Sequence, residues 1–353
     1  MGLKKYPYII YRKCRLILKV MKQTCRKLFG LFLFFPYFLQ AQINMPGLTD
    51  ASTIAGAQEF QRIYSSYAKA LSKYYGQASV LTSHLTFPFG QDNMGSFPGF
   101  YVGLGVGTAF SNTKAMKADS DPAVSPDVLP SKLPTLGITF NVGVALTPRW
   151  DLRVTFFPPV SLSIPSTSAT RNLSGSVSLG NVRTRASYLL KKDKPFGLGV
   201  SLAGFIFYNY GKINIKSPTI TTTSYAYNGG VVNTFSYDVS TTAKWKYVGG
   251  GGEVRLWWNL VVVHPYVGMS LDMQSGSFTS AVDLTGTIDV TGVVNESSTG
   301  SIGINEDVKI PFFGSRLILG MEFNLIFMRL GVEAQVEINT RLMGIGAAAG
   351  FQF

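Results

Sequence analysis

The chain has 353 residues, 46% hydrophobic and only 14% charged, with 37 glycines, 25 phenylalanines and 17 tyrosines. So few charges on so apolar a chain exclude a disordered polypeptide. The lack of any run of roughly 18 apolar residues excludes a polytopic helical membrane protein. The formal charge of +13 does not mark a nucleic-acid binder: nine Lys/Arg lie within the first 42 residues with no acid among them, and the remaining 23 basic residues face 19 acids.

The leader comes first. Leu28 to Leu39 (LFGLFLFFPYFL) is an apolar run behind Arg26 and Lys27 and ahead of Gln40-Ala41-Gln42. A basic segment, a short apolar core and a small residue predict a secretory signal peptide over 1–41, cleaved after Ala41. A transmembrane helix needs ~20 residues, and Pro36 would interrupt this one. The competing reading is an uncleaved N-terminal anchor. Starting instead at Met21 leaves a leader of ordinary length. Cys14 and Cys25, the only cysteines, both fall in the leader, so no disulfide holds the exported chain. Cys25 precedes the apolar core, which is the wrong side for a lipoprotein cysteine.

Residues 42–97 form the next unit. Phe60, Ile63, Tyr64, Tyr67, Leu71, Tyr74 and Tyr75 recur at three- and four-residue spacing, with Gln58, Arg62, Lys69 and Lys73 on the other side. This predicts an amphipathic helix over 50–76 with Asp50 or Ser52 as N-cap. It plugs a lumen, lies at the periplasmic mouth, or sits on the inner leaflet. A plug would bury Tyr and Phe against a charged, Gly-rich wall, which favours the mouth.

From residue 98 the period becomes two. In 328–339, Met328, Leu330, Val332, Ala334, Val336 and Ile338 share one face; Arg329, Gly331, Glu333, Gln335, Glu337 and Asn339 share the other. The pattern repeats in 316–325, 267–274, 136–146 and 150–157. About ten strands (range 8–14) are expected, near 98–109, 135–146, 149–158, 173–190, 197–209, 241–258, 264–279, 309–325, 327–339 and 340–353. Long connections at 110–134, 210–240 and 280–308 alternate with short ones, and tall hairpins turn near Asn228-Gly229 and Asn295 to Ser298. Short turns at one rim and long loops at the other are the layout of a membrane barrel, because only closed barrels and helices satisfy every backbone group in hydrocarbon. A soluble sandwich also alternates, but small Gly and Ala on the polar faces argue for a wall around a lumen. Phe100, Tyr101, Trp150, Trp257, Trp258, Tyr266, Phe323, Phe327, Phe351 and Phe353 suit interfacial girdles. Gly249 to Gly252, with no helix pattern and no Lys-Ser/Thr behind them, read as a bulge or bend rather than a phosphate loop.

The last strand alternates Met343, Ile345, Ala347, Ala349, Phe351 and Phe353. It resembles the C-terminal signal of bacterial outer-membrane β-barrel proteins. The resemblance implies an all-β fold, a closed antiparallel transmembrane barrel over 98–353. It also implies a Gram-negative-type outer membrane, contact with outer-membrane lipid and lipopolysaccharide, and assembly by the barrel assembly machinery through Met343, Ile345, Phe351 and Phe353. A helix ahead of the barrel is similar to the long-chain fatty-acid transporter family, whose N-terminus plugs a wider barrel; the strand count here is lower and no motif carries over.

The inward face is expected to carry Asp151, Arg153, Arg183, Arg185, Glu253, Arg255, Asp272, Arg316, Glu322, Arg329, Glu333 and Glu337. These either stiffen a narrow lumen as a charge network or line a solute path. His84 and His264 are the only histidines, and Arg candidates face every carboxylate, so no catalytic site, metal site or cofactor is expected. The expected function is a channel or uptake protein for small, even hydrophobic, solutes; the alternative is a structural or adhesive barrel acting through its long loops. Either reading predicts a chain that sediments with membranes and migrates differently on a gel before and after boiling. Recovery in the aqueous supernatant would contradict both.

Overall fold

The computed structural model describes residues 42–46, 51–85, 99–122, 134–164, 174–192, 194–217, 220–227, 231–291 and 296–353. The expected leader, the linker after residue 85, the helix N-cap and the tips at Asn228-Gly229 and Asn295 lie outside the described residues. No helix among the described residues is long and apolar enough to cross a membrane.

The elements in chain order are β1 (Gln42–Asn44), α1 (Ala51–His84), β2 (Phe100–Phe110), α2 (Thr113–Asp119), β3 (Pro134–Ala145), β4 (Trp150–Ile164) and β5 (Ser174–Lys191). They continue with β6 (Leu198–Lys216), β7 (Ile220–Tyr227), β8 (Val231–Trp258), β9 (Val263–Thr291), β10 (Glu296–Lys309), β11 (Phe313–Leu325), β12 (Met328–Glu337) and β13 (Leu342–Gln352). Ten of these strands close into an antiparallel barrel in the order β9-β11-β12-β13-β2-β3-β4-β5-β6-β8, with β8 returning to β9. The last strand pairs with the first of the ring, Phe351 opposite Val102. β7, β10 and β1 are additional strands beside β8 and β9.

Alternation sets which face is wet. On β2, Phe100, Val102, Leu104 and Val106 are about half exposed while Tyr101 is buried. The same outward row continues through Leu317, Leu319 and Met321 of β11 and Met343 and Ile345 of β13. This apolar outer band is the height of 9–11 residues that a tilted strand needs to cross a bilayer. Phe100, Trp150, Trp258, Phe327, Phe351 and Phe353 stand exposed at the short-turn rim, as a girdle requires. Tyr101, Trp257 and Tyr266 do not join it: their odd–even position turns them inward, where they are buried.

The pattern inverts above the band. β8 is 28 residues long, about 90 Å of strand, against a hydrocarbon core of ~30 Å. Beyond Val248 its inward residues become Tyr247, Trp245, Ala243, Val239 and Tyr237, all buried, and its outward ones Lys246, Lys244 and Asp238, all exposed. β9 changes the same way past Met273: Phe278, Val282 and Leu284 face in. β8 and β9 stay paired throughout, from Val232 opposite Thr291 to Trp257 opposite Tyr266. The segments 210–240 and 280–308, expected as long connections with tall hairpins, are largely strands of a projecting sheet, β7 with β8 and β9 with β10. Their Ser/Thr-rich alternation has the soluble parity, which a membrane reading discards.

Gly249 to Gly252 are not a bulge. The ladders to β6 and β9 run through them without a shift. They mark a close approach, since a Cβ on Gly251 would stand 2.1 Å from the Leu271 carbonyl oxygen. The irregularities fall instead at Phe157/Val160, Leu189/Lys191 and Thr223/Ala226.

α1 runs eight residues past its expected end and fills the barrel, which corrects the placement at the mouth. Its rings do not meet the charged wall. Phe60, Tyr64, Tyr67 and Tyr75 pack with Tyr237, Val239, Trp245 and Phe278 inside the projecting sheet. Ala78, Ser79, Thr82, Ser83 and His84 reach the band below, with Leu81 and Leu85 packed beside Ala109 and Leu342. Thr82 and Ser83 donate back to the Ala78 and Val80 carbonyls at 3.0 and 2.7 Å, which satisfies their hydroxyls inside the barrel. Below them, Gly346 lies against the helix exit, where a Cβ would stand 1.9 Å from the Leu85 carbonyl oxygen. Gly346→Val is expected to displace that exit and cost about 1–3 kcal/mol, read as a lower urea midpoint for the heat-modifiable band. Gly252→Ala, with its nearest atom at 3.8 Å, is expected to leave the midpoint unchanged.

Candidate functional site: the charged lumen and the sheet above it

All twelve charged residues expected on the inner face are buried, and each belongs to an ion pair. Glu253 is the centre of the largest group. It takes Arg185 at 3.1 Å, Arg183 at 3.4 Å and Arg255. Arg255 bridges on to Glu333 at 3.3 Å, which accepts from the Tyr266 hydroxyl at 2.8 Å and the Gln335 amide at 2.5 Å. Arg316 holds Asp272 at 2.6 Å and Glu337 at 3.7 Å. Arg329 pairs with Glu322, its Nε donating at 2.8 Å. Arg153 pairs with Asp151 at 3.2 Å. The planar guanidinium suits such shared, geometrically fixed pairing.

The network also grips the helix. Arg183 Nη1 and Gln335 Nε2 donate to the His84 carbonyl at 3.4 and 3.3 Å. A helix C-terminus carries partial negative charge, so a cation there is stabilising. The Arg183 guanidinium lies 4.4 Å from the Phe205 ring centre, and the His84 ring sits edge-on to Phe207 at 4.8 Å. His84 is thus a buried packing residue at the foot of α1. His264, at the short-turn rim, lies 3.1 Å from Asn259 Oδ1. Among the described residues no cluster of His, Cys, Asp and Glu has the makings of a metal site.

Among the described residues, cavities border α1. Beside α1 between Tyr75, Ser79, Thr82, Asn181 and Trp245 there is a cavity of about 30 Å³, room for about one water. A larger one of about 240 Å³ lies higher, between Ser72, Gly76, Gln77, Phe278 and Ile310. α2 straps α1 from the side left open by the sheet: Met116 is fully buried, and Lys73 Nζ and the Tyr74 hydroxyl both reach Asp119 Oδ2 at 2.7 Å. Those bonds hold the Asp119 carboxyl below its ordinary range.

Among the described residues the wall parts between β3 and β4. β3 pairs with β4 only from Phe140/Phe156 to Ala145/Asp151. Among the described residues, Pro134–Thr139 have no strand on that edge. The small cavity opens there, lined on the lipid side by Leu136 and Ile138.

Strand parity puts Gln335 on the face of Arg329 and Glu333, whereas Tyr266, expected in the girdle, turns inward to Glu333. The available signal was the even phase that Tyr266 shares with Asp272 on β9. The wall phase of Tyr101 and Trp257 was legible in the same way.

An outer-membrane β-barrel with its own N-terminal helix packed in the lumen is the class these features define. A family model described as Lsa36-like matches residues 45–353, and the chain belongs to that family. No curated protein matches the sequence. Among solved structures the chain is similar to a Pseudomonas aeruginosa FadL homologue, at 7% identity over 80% of this chain and 98% of that one, with a TM-score of 0.29. It is similar to the translocator domain of the autotransporter NalP from Neisseria meningitidis, at 10% identity over 86% and 97%, TM-score 0.30. It is also similar to LpxR from Salmonella typhimurium, at 12% identity over 70% and 99%, TM-score 0.26. Likenesses this distant carry no functional argument.

Glu253→Gln would leave three buried arginines short of a counter-charge. It is expected to cost about 3–5 kcal/mol, seen as a large fall in the urea midpoint or failure to form the heat-modifiable band. Glu59→Gln, which breaks only the exposed pair to Arg62, is expected to leave the midpoint where it is.

Proposed function

We propose that this barrel is a non-catalytic, surface-exposed binding protein that works through the sheet projecting from its long-connection rim. The observation that carries the reading is the β8–β9 hairpin. It continues far beyond the apolar band, keeps a hydrophobic core of its own around α1, and gains β7, β10 and β1 as further strands. A barrel meant only to conduct has no use for so large a structured projection. Short turns toward the periplasm and long connections outward is the usual arrangement, and it puts the projection at the cell surface. The fully paired carboxylates of the lumen favour a structural network over acid–base chemistry. The outward row Met343, Ile345, Phe351 and Phe353 is available to the assembly machinery before the ring closes, which supports its role as the assembly signal.

A second reading keeps uptake of apolar solutes. The parted β3–β4 seam favours it, because a solute could pass sideways between bilayer and helix without an axial pore.

Two measurements test these readings. In planar bilayers the full protein is expected to show no steady openings, since α1 and the ion-pair network occupy the axis; stable conductance would overturn the closed-lumen reading. In intact cells Thr285→Cys, on the outer face of β9, is expected to react with a membrane-impermeant maleimide, while Lys192→Cys at the short-turn rim reacts only after lysis. The opposite pattern would put the projecting sheet in the periplasm.

A further inference from the structure

The outer face of the barrel carries a basic cluster that the fold itself does not use. Lys212 of β6 and Lys244 of β8 are direct cross-strand partners. Both are exposed on the same outward face. Lys246 follows two residues along β8, opposite Tyr210. Directly opposed cross-strand partners sit about 5 Å apart at Cα, and i, i+2 neighbours about 7 Å. Three lysines therefore stand at adjoining positions of one outward face. Like charges placed directly opposite each other destabilise a sheet. None of the three has an ion pair among the described residues. The acid in the same row is Asp307, two strands from Lys244, where the Thr279 hydroxyl donates to it at 3.2 Å.

The height of the cluster says what relieves it. Lys246 stands two residues above Val248, which is half exposed at the top of the apolar band; the β6 partner of Val248 is Tyr208, and Ile206, two residues below Tyr208, is 67% exposed. On β6, Tyr208 and Tyr210, with rings 5.6 Å apart, stand between Ile206 and Lys212, with Tyr210 level with Lys246. Along this strand the order from the membrane outward is aliphatic, tyrosine, lysine. An inserted lipid presents acyl chain, glycerol or sugar, and phosphate in that same order. Lysine is a compact charge suited to phosphate as a point contact.

We propose that Lys212, Lys244 and Lys246 form a binding site for the phosphate of an anionic lipid headgroup at the upper membrane interface. The site clamps a lipid to the β6–β8 wall and offsets the repulsion that the strand register imposes. The assignment of that lipid to the outer leaflet rests on the orientation proposed above; the site itself does not, and detergent-solubilised protein tests it in either orientation.

The test uses the full protein in detergent micelles, with lipid retention read by native mass spectrometry. The probes are phosphatidylglycerol, diacylglycerol with the same chains, and inorganic phosphate. Each basic residue near an anionic headgroup strengthens attachment about fivefold. The triple variant K212Q/K244Q/K246Q is thus expected to hold phosphatidylglycerol on the order of a hundredfold more weakly, while keeping the heat-modifiable band. Diacylglycerol is expected to bind weakly and equally to both proteins, and inorganic phosphate not to displace the lipid. Should the triple variant fail to assemble, K244Q alone is expected to lose about fivefold, with K244R restoring retention. Equal retention of phosphatidylglycerol by wild type and variant, or equal retention of diacylglycerol and phosphatidylglycerol by the wild type, would overturn the site. Displacement by inorganic phosphate would overturn its assignment to a lipid.

Discussion

A strand side chain changes face at every residue, and nothing short of a bulge can alter that phase. A strand that leaves lipid for water must therefore exchange its chemistry rather than its geometry. In lipid the apolar residues point out; in water they must point in. β8 and β9 make this exchange at Gly249–Gly252 and at Met273–Gln274 with their ladder unbroken. The rest of the architecture follows from that inversion. Below it the inner face must hold the polar residues, and above it an apolar trough opens toward the axis, where an aromatic helix finds its partners.

The two halves of the lumen are consequently filled by different physics. In the band, charges taken out of water survive because each is paired, and several are shared between two or three partners. Above, burial of large side chains dominates; Phe60, Tyr64, Tyr67 and Tyr75 each contribute on the order of 1.5–3 kcal/mol by leaving water. α1 spans both environments with a matching gradient, from rings at its N-terminal part to Ala, Ser, Thr and His at its end. The hand-over falls where Tyr247 donates to the Ser79 carbonyl at 3.1 Å.

The ring of ten strands was legible because lipid enforces a strict period of two over each crossing, and the twelve inward charges were legible for the same reason. What escaped was whatever depended on a change of solvent along one strand. Segments 210–240 and 280–308 looked like connections because their polar residues stand on the face that the membrane strands reserve for oil. The helix was turned away from the lumen because the charged wall was taken to be the only wall. Its last turns, 77–84, carry Val80, Thr82 and Ser83, weak helix formers by themselves; enclosure by the barrel, not propensity, extends them. The interior places of Tyr101, Trp257 and Tyr266 needed only consistent counting along strands whose other residues were already assigned.

β1 pairs with β10 on the far side of the projecting sheet, with Gln42 opposite Gly303, whereas β2, the strand that follows α1 in the chain, starts at the opposite rim. α1 thus stands in the chain between two strands of one sheet that lie at different mouths, like a rope made fast at each end of a tunnel. Withdrawal in either direction demands that one mooring be undone. Any transient emptying of the bore is for that reason a local unfolding event rather than a rigid-body slide.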